Sequence, residues 1–197
     1  HEDLIASKII TTKSEYDGYL INRPIGLHKL TGSKPTILNK SIILVHGFYP
    51  AGWPTKGFEW AEALKKMAES KYPVWWFRHN WTNCPETNSE LLKSAINSLI
   101  IESNKIEEII VVGHSSGGLI VADLAEKWNS DLKLSVHSIA AGLNRYRDRL
   151  KPCTVQGKSE YAFGSNVDFI QWRTSKEMDG IFKNFDFDPQ EVMLKNG

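Results

Sequence analysis

The stretch IIVVGHSSGGLIVADLAEKW, residues 109–128, decides how the chain is read. A run rich in β-branched residues ends at Gly113, as a buried strand does. His114, Ser115 and Ser116 follow, then Gly117-Gly118 and an apolar segment long enough for a helix. The pattern predicts a strand, a tight turn and a helix, with Ser115 at the tip of the turn. A side chain held there stands clear of the sheet on a strained backbone. Gly113 and Gly117 remove side chains where strand and helix approach the turn, and Gly118 lets the helix pack close to the sheet. The amino end of the helix favours developing negative charge. A bare G-x-S-x-G arises by chance in roughly one chain in ten of this length. The strand before it and the helix after it set this one apart from a plain Gly/Ser turn.

Upstream, SIILVHGFYPAGW (41–53) is a second buried strand that ends at His46-Gly47 and opens into a loop rich in Pro and Gly. An acyl-transfer site needs two backbone N–H groups aimed at the oxyanion. One comes from the residue after the nucleophile, here Ser116. The other comes from a loop after an earlier strand, here Phe48. Alone this segment would be an ordinary strand-to-helix loop. With the elbow some 70 residues later, each supports the other.

The remaining segments fall into alternation. Residues 6–30 alternate polar and apolar, with turn signals at Asp17-Gly18 and Pro24, and predict an N-terminal antiparallel hairpin. FEWAEALKKMAES (58–70) has apolar residues at helical spacing. YPVWWFRHNW (72–81) predicts a strand, and SELLKSAINSLIIESN (89–104) a helix capped by Ser89. LKLSVHSIAAG (132–142) and VDFIQWRT (167–174) predict two more strands, and EVML (191–194) could begin a last one. Strand–helix alternation with short connections implies an α/β fold, a mainly parallel sheet with helices on both faces. Reactive groups in such sheets collect at the carboxyl ends of the strands.

SIILVHGFYPAGW and IIVVGHSSGGLIVADL, in this order and spacing, resemble the α/β-hydrolase family, its serine esterase and lipase branch in particular. The similarity covers roughly residues 40–180. It implies Ser115 as nucleophile, Phe48 and Ser116 as the oxyanion hole, an acid after a late strand, and a histidine after that. Asp179, a few residues past VDFIQWRT, lies where the family places its acid. Glu177 is the next candidate, Asp168 sits inside the strand, and Asp186 and Asp188 are in the polar tail. No histidine follows Asp179, which departs from the family order. The six histidines are His1, His28, His46, His79, His114 and His137. His46 and His137 suit structural roles, His79 could line the cleft, and His114 adjoins Ser115 on the backbone. The expectation is therefore a single α/β-hydrolase domain over 1–197, incomplete at its C-terminus and lacking its last strand and helix. The catalytic histidine would lie beyond Gly197.

Composition bounds the function classes. The chain has 197 residues, a formal net charge of +1 and no long basic run, so nothing points to nucleic acid. No stretch reaches the roughly 18 apolar residues of a membrane span. No Cys/His spacing suits a metal, and no phosphate-binding glycine loop is present, so no cofactor is implied. Cys84 and Cys153 both sit in polar, turn-rich stretches and are compatible with one disulfide, which would suit a secreted or periplasmic protein stripped of a signal peptide; a cytoplasmic location is the alternative. Trp53 and Trp81, on loops at the expected active-site end, are candidates for an acyl pocket.

The resulting expectation is a serine hydrolase of acyl esters, acting through an acyl-enzyme on Ser115 with a small-molecule or lipid-like substrate. A thioesterase or amidase with the same triad is the alternative within enzymes. A catalytically dead domain serving as a binding module is the alternative outside them. The sequence leaves oligomeric state open.

Overall fold

A computed structural model describes residues 3–5, 20–32, 34–49, 60–144, 153 and 158–197. Its centre is a seven-stranded sheet. The strands in chain order are β1 (Leu4–Ile5), β2 (Gly26–Thr31), β3 (Lys40–Val45), β4 (Val74–Arg78), β5 (Glu108–His114), β6 (Lys133–Ile139) and β8 (Val167–Trp172), arranged β1-β2-β4-β3-β5-β6-β8. From β4 to β8 every neighbouring pair is parallel. β3, buried from Ser41 to Val45, and β5, which buries Ile109, Val111 and Gly113 on one face and half-buries Ile110 and Val112 on the other, occupy the middle of the sheet.

The antiparallel element lies at the N-terminal side, but its pairing differs from the expected hairpin. β2 runs antiparallel to β4, whereas the short β1 pairs with β2 in parallel register. Residues 6–19, the body of that hairpin, lie outside the described residues.

Among the described residues, three helices of seven residues or more follow from local sequence. α1 (Ala61–Met67) buries Ala61 and Leu64. α2 (Pro85–Glu102) starts five residues earlier than a cap at Ser89 implies. Pro85 stands at the start, where its missing N–H costs nothing, with Cys84 at the N-cap position. Ser89 instead sits inside the helix and is buried, as are Leu92, Ile96 and Leu99. α3 (Ser116–Glu126) is apolar nearly all round, and Gly117 through Ala125 are all buried, which makes it the central helix of the molecule.

The sheet separates two cores. On one face α2 and α3 cover Ile43, Val45, Val111, Leu134 and Val136. On the other, Ile42, Leu44 and Trp76 pack with Leu64, Trp60 and Tyr49. Burying one such side chain contributes about 1.5–3 kcal/mol. The strand at residues 193–195 is real but sits elsewhere than expected. β9 (Met193–Lys195) joins β7 (Glu160–Ala162) in a separate two-stranded ribbon, and Tyr161 and Phe163 belong to the first core. On the opposite face of the edge strand β8, Ile170 and Trp172 are exposed. Among the described residues, no helix is long and apolar enough to cross a membrane.

Cys84 and Cys153 are joined by a disulfide across 69 residues of sequence. It ties the start of α2 to the excursion that follows β6. Cross-linking a loop of this length stabilises by about 2–4 kcal/mol. Urea unfolding of the oxidised protein against the Cys84→Ser/Cys153→Ser double variant should show a loss of that size. Coincident midpoints would mean that the bridge constrains nothing.

Candidate functional site

Ser115 is the residue between β5 and α3, and its backbone is at φ 55°, ψ −122°. That left-handed region is costly for any residue but glycine, by about 1–3 kcal/mol, and persists only where the surroundings enforce it. Here three contacts do so. The Ser115 N–H donates to the Ile139 carbonyl at the end of β6, at 2.9 Å. The Gly118 N–H donates to the Ser115 carbonyl, also at 2.9 Å. The glycines close the third side. A Cβ on Gly113 would lie 2.3 Å from the Gly117 carbonyl oxygen, and one on Gly117 would lie 2.4 Å from that of Val45. Strand β3, the elbow and the first turn of α3 therefore meet backbone to backbone.

The HG loop meets the serine directly. A Cβ on Gly47 would stand 3.1 Å from Ser115 Cβ and 3.6 Å from its Oγ. Gly47 and Ser115 thus share one corner at the carboxyl ends of β3 and β5. Phe48, half-buried, is the next residue of that loop, and Tyr49 is fully buried behind it. Ser116 opens α3, where a backbone N–H has no partner within the helix. Its own hydroxyl is buried and unbonded. Trp81 flanks the loop, edge-on to Tyr49 at 6.2 Å and with the Arg78 guanidinium 4.4 Å above its ring. Trp53 lies outside the described residues.

Asp179 sits in the turn-rich segment after β8, at a distance along the sheet from the elbow of two strands. Its carboxylate is fixed by its own loop. Thr174 Oγ1 donates to Oδ2 at 2.7 Å, and the Ile181 and Phe182 N–H groups donate to Oδ1 at 2.8 and 3.2 Å. The fully buried Gln190 holds the base of this loop. Its Oε1 accepts from the Thr174 N–H at 3.0 Å, and its Nε2 donates to the Thr174 carbonyl at 3.1 Å. Glu177 is exposed and bonded to Ser175 at 2.9 Å, and Asp168 pairs with Lys133 at 2.8 Å on the outer face of the sheet.

Four of the histidines are committed to structure, the first being buried His28, whose Nε2 meets the Pro24 carbonyl at 2.8 Å. His137 Nδ1 accepts from Trp172 Nε1 at 3.0 Å. His46 and His79 are wholly buried and stacked, with ring centroids 3.9 Å apart. Both are bonded to the backbone of the strand ends. Burial pushes the His46 imidazole well below its ordinary range, and the neighbouring His79 pushes it further. Burial likewise lowers His79 to about 4, against the bonds from its ring to the backbone. The pair carries no charge at neutral pH. Sequence reasoning missed this stack and Gln190. The stack left a trace: each histidine stands just beyond the carboxyl end of one of two strands, β3 and β4, that pair in parallel. Gln190 left none, because a lone glutamine in a polar tail looks solvated. Among the described residues, the one cluster with metal-ligand chemistry is Cys84, Glu86 and Cys153, whose two sulfurs are already bonded to each other.

No protein-family model matches the sequence, and no curated protein matches it. Solved structures match part of the chain. A lipase–esterase related protein from Clostridium acetobutylicum is 15% identical with a TM-score of 0.44, over 61% of this chain and 48% of that one. The product of gene lin2722 of Listeria innocua is 20% identical with a TM-score of 0.43, over 55% and 54%. A highly thermostable carboxyl esterase from Bacillus coagulans is 17% identical with a TM-score of 0.42, over 60% and 39%. The matched part is about half or less of the length of each of these structures.

Two predictions follow from the geometry. Gly117→Ala forces a methyl into the Val45 and His46 carbonyls, and should destabilise by about 1–3 kcal/mol in urea unfolding. The depressed His79 value means that the unfolded chain takes up a proton first. Its contribution to stability should be complete above pH 6.5 and should decline as the pH falls from there towards about 4. Thermal unfolding across that range tests it, and a flat profile would contradict the buried neutral pair.

Proposed function

We propose that the chain is a serine hydrolase domain of the α/β-hydrolase type that cleaves acyl esters. One observation carries this reading. Ser115 is the tip of a strand-to-helix turn, held at positive φ with Gly47 of a neighbouring strand end packed against its side chain. Ala140 and Asn196 also have positive φ, but Ser115 alone of the three carries a hydroxyl at a strand-to-helix turn, the position that presents a nucleophile.

In the proposed mechanism Ser115 Oγ attacks the ester carbonyl, the C–O bond to the alcohol breaks and the alcohol leaves with the serine's proton, and water then hydrolyses the acyl-enzyme to the free acid. The Phe48 and Ser116 amides take the oxyanion, assisted by the amino end of α3. Asp179 orients the imidazole that removes the serine proton. His28, His46, His79 and His137 are each bonded to a structural partner, so none of these four supplies that imidazole. Trp81, beside the HG loop, lines the acyl side of the pocket. The Cys84–Cys153 bridge favours a secreted or periplasmic setting. Water is the second substrate, and the chemistry calls for no metal.

A fluorophosphonate probe tests the nucleophile. The full-length protein should label at Ser115, and Ser115→Ala should abolish labelling and lower p-nitrophenyl ester hydrolysis by at least about a thousandfold. Equal labelling of Ser115→Ala would place the nucleophile elsewhere. A folded, unlabelled wild type would favour a binding module. Faster turnover of a thioester or an amide than of the matched oxygen ester would change the substrate class without moving the site.

A further inference from the structure

The stacked histidines do more than fill space. His79 donates its backbone N–H to His46 Nε2 at 3.2 Å. An imidazole nitrogen that accepts a hydrogen bond carries no proton, so His46 is the tautomer protonated at Nδ1. Its Nδ1–H then donates to the Gly47 carbonyl at 2.8 Å. The peptide that follows is planar and trans, so its carbonyl and its N–H point in opposite directions. That N–H belongs to Phe48. Fixing the Gly47 carbonyl therefore fixes the direction of the Phe48 amide. The same pair holds the preceding peptide, because the His79 ring meets the His46 carbonyl through Nε2 at 2.8 Å. Parallel ring planes, 11° apart, keep the two side chains from turning independently. Tyr49 and Trp76 stack on His46 at 5.1 and 5.3 Å and close off the water that would otherwise compete for these bonds.

We infer that His46 and His79 form a positioning relay: the backbone of His79 selects the His46 tautomer, the His46 ring clamps the Gly47 carbonyl, and the clamp aims the Phe48 amide at the oxyanion. This rests on the reading of Ser115 as nucleophile and Phe48 as oxyanion donor. Neither histidine touches substrate, and neither moves a proton in the reaction. The relay explains why two histidines are spent in a buried corner where apolar side chains would pack as well. An apolar pair would leave the Gly47–Phe48 peptide free to rotate.

Side chains that keep one ring nitrogen and lose the other separate the relay from simple packing. Asn at position 46 places an amide N–H near Nδ1 and can still clamp Gly47. Gln places its amide near Nε2 and cannot. His46→Asn should therefore retain kcat within about tenfold. His46→Gln should lose roughly a hundred- to a thousandfold in kcat with KM nearly unchanged, the signature of a lost oxyanion donor. His79→Gln, which keeps a donor to the His46 carbonyl, should exceed His79→Leu in kcat. Equal kcat for His46→Asn and His46→Gln, or losses confined to KM, would overturn the relay. Thermal melts of each variant show whether it is folded.

A second measurement does not depend on activity. Nitrogen-15 imidazole spectra of the full-length protein at neutral pH should show His46 protonated at Nδ1 and bare at Nε2. The reverse tautomer would overturn the relay even if Ser115 is the nucleophile. A wild type that shows the expected tautomer but no phosphonate label on Ser115 would instead sink the oxyanion role, leaving the clamp as a purely structural device.

Discussion

The structure depends on one close approach. Strand β3, the turn at Ser115 and the first turn of α3 come together with almost no side-chain atoms between them. The Val45 and His46 carbonyls occupy the space a methyl on Gly117 would take, and Gly117 itself occupies the space beside Gly113. Only glycine fits at either place. This contact fixes how deeply α3 sits against the sheet, and it holds Ser115 in a conformation the residue would not choose alone. The cost is local and the restoring force is distributed. β3 is buried over five of its six residues, α3 is buried along nearly its whole length, and neither can shift without opening a core.

The same corner shows how polar groups are kept inside. At the end of β3 the backbone leaves the sheet and would strand the carbonyls of His46 and Gly47. Two histidine rings satisfy them, each as a neutral donor. Burial holds both imidazoles uncharged, so that the corner pairs dipoles with dipoles and no buried charge needs a counter-ion. Further along the sheet, Gln190 plays a comparable part for the loop after β8, where it receives and donates at Thr174 and so supports the turn that carries Asp179. The candidate site is in this sense a set of strand ends whose loose backbone groups have been tied down by buried polar side chains.

Much of this was legible in the sequence where the signal is local. The β5–Ser115–α3 unit could be read because strand, glycines and helix are contiguous. The parallel sheet could be read because strands and helices alternate. Other features depend on partners far away in the chain. The start of α2 was misread because Ser89 looks like a cap, while Pro85 four residues earlier does the work through its fixed φ. β9 looked like a continuation of the main sheet, but a short strand pairs wherever an edge is offered, and β7 offers it. The order β1-β2-β4 could not be had from spacing, since an antiparallel neighbour at the N-terminal side leaves no mark in the β2 residues themselves. His46 and His79 were visible as residues, but not as a pair, because register is a property of two strands.

The central claim is that Ser115 Oγ and the Phe48 and Ser116 amides converge on one substrate carbonyl, the hydroxyl on its carbon and the amides on its oxygen. A crystal structure of the full-length protein carrying a covalent phosphonate tests it most directly. The account predicts phosphorus bonded to Ser115 Oγ, with one phosphonyl oxygen about 2.7–3.1 Å from both the Phe48 and the Ser116 backbone nitrogens. A phosphonate on Ser115 whose oxygen faces away from both amides, or one bonded to another residue, would contradict it.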